Sequence, residues 1–205
     1  SFGFLARERD KFLNQMTVQA FNYGSSPSLG NPIARMVIAE FAEFKCTYCV
    51  ALSPILKKLV ADSNGKVRLV FKHFPLKNHP GSFFSSKAAQ AAHRQGKFWE
   101  MYDFLFRDFR KQGMEDVLEY AQTLGMDLER FKRDLEDRAI EELIERDKME
   151  GVRAKVPGTP TLFVNGKMYH LRHDEEFLKD LINEEAEGLG LVPPYQEWVY
   201  TGQKR

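Results

Sequence analysis

Cysteine is nearly absent from this chain: two occur in 205 residues, three apart, as Cys46-Thr47-Tyr48-Cys49. One close pair leaves no further cysteine for a framework of bridges, which excludes a disulfide-stapled secreted scaffold. Long apolar runs are missing as well, the longest falling far short of the roughly 20 residues that a bilayer-spanning helix needs. Nor is there an excess of charge of one sign. With 30 Lys and Arg against 29 Asp and Glu, interspersed along the chain, the net charge is +1, so no basic field exists to follow a phosphate backbone. Nucleic acid is therefore not an expected partner. No Gly-rich loop follows a strand-like run, which leaves nucleotide binding unsupported, and there is no internal repeat. Residues 1–10 lack the charged start, apolar middle and small-residue cleavage site of a secretory signal, the pattern expected of a mature or trimmed chain.

The composition that remains is ordinary for a globular protein, 43% hydrophobic and 29% charged, with 17 Phe as its one excess. That is enough for one large domain, or a core domain with an insertion, without a covalent staple. The Phe excess points to an apolar core or groove.

Along the chain, residues 1–32 read as a helical extension and linker: Phe4, Leu5, Phe12, Leu13, Met16 and Ala20 recur at helical spacing, and residues 24–32 are dense in turn formers. Runs rich in strand formers follow at 36–41 and 67–71. Between them, residues 49–61 predict a helix, with Leu52, Ile55, Leu56, Leu59 and Val60 on one face and Pro54 expected to kink it. Strand, helix, strand most simply makes a right-handed parallel crossover. Residues 82–151 are helical throughout, with Asp127 and Asp137 as N-caps, and the aromatic series Phe98, Trp99, Tyr102, Phe104, Phe106 and Phe109 is assigned to packing. After Pro160 come a strand at 161–164, an Asn165-Gly166 hairpin turn, a strand at 167–171 and a helix from Asp174 to about residue 187. The expected organisation is a core of 33–78 and 152–187, a helical insertion at 79–151, and a tail at 188–205.

The cysteine pair sits between a strand and a helix. A thiolate at Cys46 would face free backbone N–H groups and the positive end of the helix dipole, a setting that lowers a Cys pKa from about 8.5 to roughly 3.5–7.5. Cys46 is thus the expected nucleophile and Cys49 the buried resolving thiol, with Thr47 and Tyr48 able to tune the thiolate and Lys45 able to add a positive charge. Glu40, six residues before Cys46, is expected to point inward with Ile38 and to move protons to and from Cys49; the plainer reading is a strand-edge carboxylate in solvent or paired with a Lys. A lone CxxC is also half a zinc site, but His170 and His173 are poorly spaced to complete it, so no metal is expected. His73, His79 and His93 read as structural or solvent-facing.

The segment Glu40-Phe41-Ala42-Glu43-Phe44-Lys45-Cys46-Thr47-Tyr48-Cys49, the helix proline Pro54, and Gly158-Thr159-Pro160-Thr161 together resemble the thioredoxin-fold disulfide oxidoreductases, especially their DsbA-like branch. The resemblance covers residues 33–187. It implies an α/β thioredoxin fold, a mixed central sheet flanked by helices, with an all-helical insertion. It implies that a cis-proline loop at Thr159-Pro160 faces the cysteines and, with Thr47 and Tyr48, receives an extended substrate by strand addition. It further implies no cofactor beyond the redox-active Cys46–Cys49 disulfide, protein or peptide thiol and disulfide substrates, a membrane or soluble redox partner, and a bacterial periplasmic or other extracytoplasmic location. The family's buried lysine partner for the acidic residue has no clear counterpart, Lys72 being the nearest. Thr-Tyr between the cysteines differs from the Pro-His of strong oxidases and the Gly-Pro of thioredoxin, and Thr before the proline is met in isomerase-type relatives, so the direction of electron flow stays open. The expected protein is a monomer or weak homodimer. The alternative is a redox-inactive peptide-binding module with a static disulfide.

Overall fold

Two seven-residue runs with almost no exposed position, Met36–Ala42 and Val67–His73, form the middle of a sheet. Buried on both faces, they carry continuous apolar character rather than alternation. In the computed structural model, which describes residues 18–170 and 173–195, these are β2 and β3. With β1 (Ser28–Gly30), β4 (Thr161–Val164) and β5 (Lys167–Tyr169) they make one mixed five-stranded sheet in the order β1-β3-β2-β4-β5. Among the described residues, seven helices complete the chain. These are α1 (Thr47–Ala61) between β2 and β3, then α2 (Ser82–His93), α3 (Phe98–Arg107), α4 (Met114–Thr123), α5 (Leu128–Leu135) and α6 (Arg138–Arg153) between β3 and β4, and α7 (Glu175–Gly188). This is the expected α/β architecture with a helical insertion.

Local signals account for most boundaries. Asp127, Asp137 and Asp174 cap α5, α6 and α7 by accepting the N–H groups of Arg130, Ala139 and Phe177, each satisfying a donor that the helix leaves open. β4 and β5 pair antiparallel, Leu162 with Tyr169 and Val164 with Lys167. Asn165 and Gly166 both take positive φ between them, as a tight hairpin turn requires. Asn165 also ties β4 to β2, its N–H donating to the Val37 carbonyl at 2.9 Å and its side-chain oxygen accepting the Val37 N–H at 2.7 Å.

Some elements differ from expectation. The expected linker contains β1, which pairs antiparallel with β3, Ser28 opposite Val70; a sheet edge ordered three residues whose composition reads as a turn. Helix α1 begins at Thr47 and continues through Pro54. The helix expected near residues 4–20 falls almost wholly outside the described residues, as do positions 171–172 of the fifth strand.

The described residues form two compact units. One comprises residues up to 40 together with 54–70 and 161 onward; the other comprises 41–53 and 71–160. In the first, Phe21 meets Phe163 edge-on at 4.7 Å, and Tyr195 donates its hydroxyl proton to the Leu59 carbonyl at 2.7 Å. In the second, Phe71 stacks on Phe44 at 5.4 Å and contacts Phe98 and Tyr102. Around them Phe106, Leu105, Phe131 and Ile144 complete one buried cluster. The aromatic series of α3 is therefore largely core, as its spacing implied.

Candidate active site

The site starts from how its backbone is held. After β2 the chain turns through Glu43, Phe44 and Lys45 to Cys46. Phe44 is buried among Phe71, Tyr102 and Phe106. Its carbonyl accepts the side-chain amide of Gln112 at 2.8 Å. Gln112 comes from the loop before α4, and its amide also donates to the Leu105 carbonyl while its oxygen accepts from Ser85. The stretch leading to the cysteines is thus fixed by an aromatic anchor and a buried hydrogen bond.

Cys46 occupies the N-cap position of α1. Its carbonyl accepts the Val50 N–H at 3.2 Å and its sulfur accepts the Cys49 N–H at 3.2 Å, the role an oxygen plays in an ordinary cap. Both cysteines are free thiols, approaching to 2.8 Å. Cys49 is fully buried and Cys46 only 3% exposed, whereas Tyr48 is 76% exposed and Thr47 is also on the surface. Across from them the Thr159-Pro160 peptide is cis. The Cys46 thiol donates to the Thr159 carbonyl at 3.5 Å.

This setting pulls the Cys46 thiol down from 9.0 to about 6. The largest cause is the hydrogen bond from the Cys49 thiol. The Thr159 side chain and the Cys49 N–H add to it, while burial and the negative Glu43 carboxylate oppose it. Thr159 Oγ1 is itself buried with no hydrogen-bond partner of ordinary length. Lys45, the expected positive neighbour, instead places its ammonium over the Phe109 ring at 5.7 Å.

Of the residues singled out by sequence, Cys46, Cys49, Thr47, Tyr48, Thr159 and Pro160 fall in the second unit. Glu40 lies on β2 with no exposed surface, which removes the solvent-facing alternative. Lys72 is buried on β3 at 3% exposure and pairs with Glu150 at 2.8 Å and Asp147 at 3.6 Å, both from α6. Asp147 also accepts the His73 N–H at 3.0 Å. Burial pushes the Asp147 carboxyl up to about 6, against the pull of Lys72. It pushes the fully buried His73 down to about 4, while Nε2 donates to Gln90. His173 bonds the Tyr169 carbonyl, and among the described residues no group of three metal-ligating side chains converges.

Sequence reasoning missed Gln112, Glu43 and His79. Glu43 is fully buried three residues before Cys46, and its position before a helix start was the one available signal. His79 and Gln112 come from loops far along the chain, with no spacing to announce them.

A mixed sheet of this order, a low-pKa cysteine capping the following helix, and a Thr-Pro loop against its sulfur define a thioredoxin-fold thiol protein. A model of the Thioredoxin family matches residues 22–184, and the chain belongs to that family. It is similar to a thioredoxin-like oxidoreductase from Silicibacter pomeroyi, at 28% identity and a TM-score of 0.73 over 80% of this chain and 94% of that one. It shares its fold with BdbD of Bacillus subtilis, at 20% identity and TM-score 0.70 over 83% of this chain and 98% of that one. Among curated proteins, 146 residues, or 71% of the chain, are 38% identical to 22% of a protein named Na(+)/H(+) antiporter NhaA 3 of Salinispora tropica. Over 161 residues, or 78% of the chain, it is 35% identical to 24% of NhaA 1 of Salinispora arenicola. The chain thus spans about a quarter of the length of these curated relatives. The family and its oxidoreductase relatives support thiol–disulfide exchange as the general chemistry of the site.

Proposed function

We propose that this chain is a protein thiol–disulfide oxidoreductase acting on extended or unfolded polypeptides through Cys46 and Cys49. The observation that carries this reading is the geometry of two free cysteines one turn apart, with the Cys46 sulfur at a helix N-cap accepting the Cys49 N–H and facing the Thr159 carbonyl, a setting that lowers the thiol and favours a nucleophilic thiolate near neutral pH. The Cys46 thiolate attacks one sulfur of a substrate disulfide, forming a mixed disulfide and expelling the other sulfur as a thiolate that takes up a proton. Cys49 then loses its proton and attacks Cys46. This closes the Cys46–Cys49 disulfide and releases the second substrate thiol: the substrate gains two electrons and the pair loses them. In the oxidising direction the same steps run backwards. Glu40, buried in β2, is the proposed acceptor and donor of the Cys49 proton.

Thr159 and Pro160, with exposed Thr47 and Tyr48, form the proposed strip for the substrate backbone, and no metal or organic cofactor takes part. A second redox protein, membrane-bound or soluble, must return the pair to its starting state. An extracytoplasmic setting fits a fold relative described as a periplasmic thioredoxin-like protein of Salmonella enterica, 21% identical with a TM-score of 0.68 over 80% of this chain and 91% of that one. The Salinispora relatives favour a setting beside a membrane transporter.

The test equilibrates the protein with glutathione and compares C46S and C49S. Exchange lost in C46S, with mixed disulfides accumulating in C49S, is expected; trapping by C46S instead reverses the roles. A double cysteine variant with undiminished biological activity would favour the redox-inactive peptide-binding module. Proteins captured by C49S from whole cells report the setting, and a purely cytosolic catch overturns the extracytoplasmic one.

A further inference from the structure

Glu43 presents a problem in charge burial. Its carboxylate has no exposed surface, and such a group is costly to bury unless both oxygens are engaged. Both are. Oε2 accepts the N–H of Lys45, the residue before Cys46, at 2.5 Å, and Oε1 bonds Nδ1 of His79. The carboxylate is therefore bolted to the backbone that presents the reactive sulfur.

His79 differs in one respect: its side chain is 31% exposed, so water reaches the imidazole but not the Glu43 carboxylate. Its backbone is pinned on both sides, the N–H donating to Leu76 and the carbonyl accepting from Ser82, so the imidazole is held to its partner. Lys148 of α6 also interacts with Glu43. Its ammonium donates to the Pro75 carbonyl and lies 4.2 Å from the centre of the Phe74 ring. Lys77 acts on Lys148 in turn.

We propose that Glu43 and His79 are a positioning pair for Cys46, the buried carboxylate setting the charge that the sulfur anion meets and the imidazole modulating that charge from the solvent side. The inference rests on the reading that Cys46 performs thiol–disulfide exchange. With a protonated imidazole the pair is neutral and the thiolate is little opposed. With a neutral imidazole, Nδ1–H still donates to Oε1 but the pair carries one negative charge, which disfavours the thiolate. The repulsion of Cys46 by Glu43 has this sign. Because a less stable thiolate makes the reduced pair less stable, the same charge makes the protein a weaker oxidant.

The test follows the thiolate absorbance of the reduced protein against pH in wild type, E43Q, H79Q and the double variant, with glutathione equilibria alongside. E43Q should lower the Cys46 midpoint, giving roughly threefold to tenfold more thiolate on the acid side, the effect of removing a nearby like charge, and should shift the pair to the oxidising side. H79Q should raise the midpoint, and the double variant should match E43Q alone, since the imidazole acts through the carboxylate. A folded E43Q with an unchanged midpoint overturns the proposal, and so does an H79Q effect that persists in the E43Q background. If E43Q does not fold, H79Q, at a partly exposed side chain, carries the test, and an unmoved midpoint there overturns it. A wild type that fails to exchange with glutathione while its midpoint still responds to these variants sinks the exchange reading and leaves the pair standing.

Discussion

The side-chain amide of Gln112 donates to the carbonyl oxygen of Phe44 across 2.8 Å, two residues before Cys46. One buried glutamine thereby fastens the loop between α3 and α4 to the segment that presents the nucleophile. Gln112→Leu would leave the Phe44 and Leu105 carbonyls without its amide, while the Ser85 hydroxyl keeps the Gly81 carbonyl, at about 1–3 kcal/mol for each buried group left unpaired. A fall in unfolding free energy of at least about 2 kcal/mol in urea is expected, and a change within error would show that the clamp contributes nothing.

Thr159 lowers the Cys46 thiol through its side chain. Thr159→Val keeps the shape and deletes the hydroxyl, so the thiolate midpoint should rise from about 6 toward 9.0. Titration of thiolate absorbance in the reduced variant checks this; a midpoint that stays or falls contradicts it.

The depressed Cys46 pKa links redox state to stability. A group whose folded pKa lies below its unfolded value stabilises the fold at pH above the unfolded value and loses that contribution as pH falls through the folded one. For Cys46 the window runs from 9.0 down to about 6. The oxidised protein has no such group. The thermal midpoint of the reduced form, relative to the oxidised form, should therefore climb between pH 6 and 9, and a flat difference would contradict the lowered thiol.

His73 and Asp147 work against each other on the acid side. His73, held down to about 4, contributes stability that is complete above 6.5 and is lost as pH falls. Asp147, raised from 3.8 to about 6, contributes stability present below 3.8 and lost as pH rises through 6. Between pH 6 and 4 Asp147 offsets part of the loss at His73. Asp147→Asn removes the offset, so its stability should fall more steeply with acid than that of wild type, measured as urea midpoints across that range.

Gly151 lies in α6, where an added Cβ would meet the Phe74 ring at 2.7 Å and Phe41 at 2.9 Å. Helix propensity favours alanine by about 1 kcal/mol, but overpacking costs typically 1–3 kcal/mol, and two rings with little room to shift place this site toward the upper end. Gly151→Ala is expected to lower the thermal midpoint; an increase would show that the rings give way.

The expected elements succeeded where one local signal sufficed. The apolar run of β2, the Asp127 and Asp137 caps and the Asn165-Gly166 turn each act over a few residues, and each is found in place. The short edge strand β1 was read as a turn because Gly30 and its neighbours have turn chemistry, and only pairing with β3 makes them extended. Lys72 could not be assigned because a lysine in a strand has two possible faces, and the sequence contains no record of the Asp147 and Glu150 carboxylates that meet it.

The chain by itself determined the reactive chemistry: two cysteines three apart, at the junction of a strand and a helix, with the backbone N–H groups of the first turn to receive a sulfur anion. These are local consequences of covalent spacing and helix geometry. What only the tertiary structure decided is the electrostatic setting of that sulfur. The Thr159 carbonyl, the His79 imidazole behind Glu43 and the Gln112 clamp meet their partners at the site from 36 to 113 residues away. Charge and hydrogen bonding act through space, and at such separations the folded chain alone sets the distance between partners.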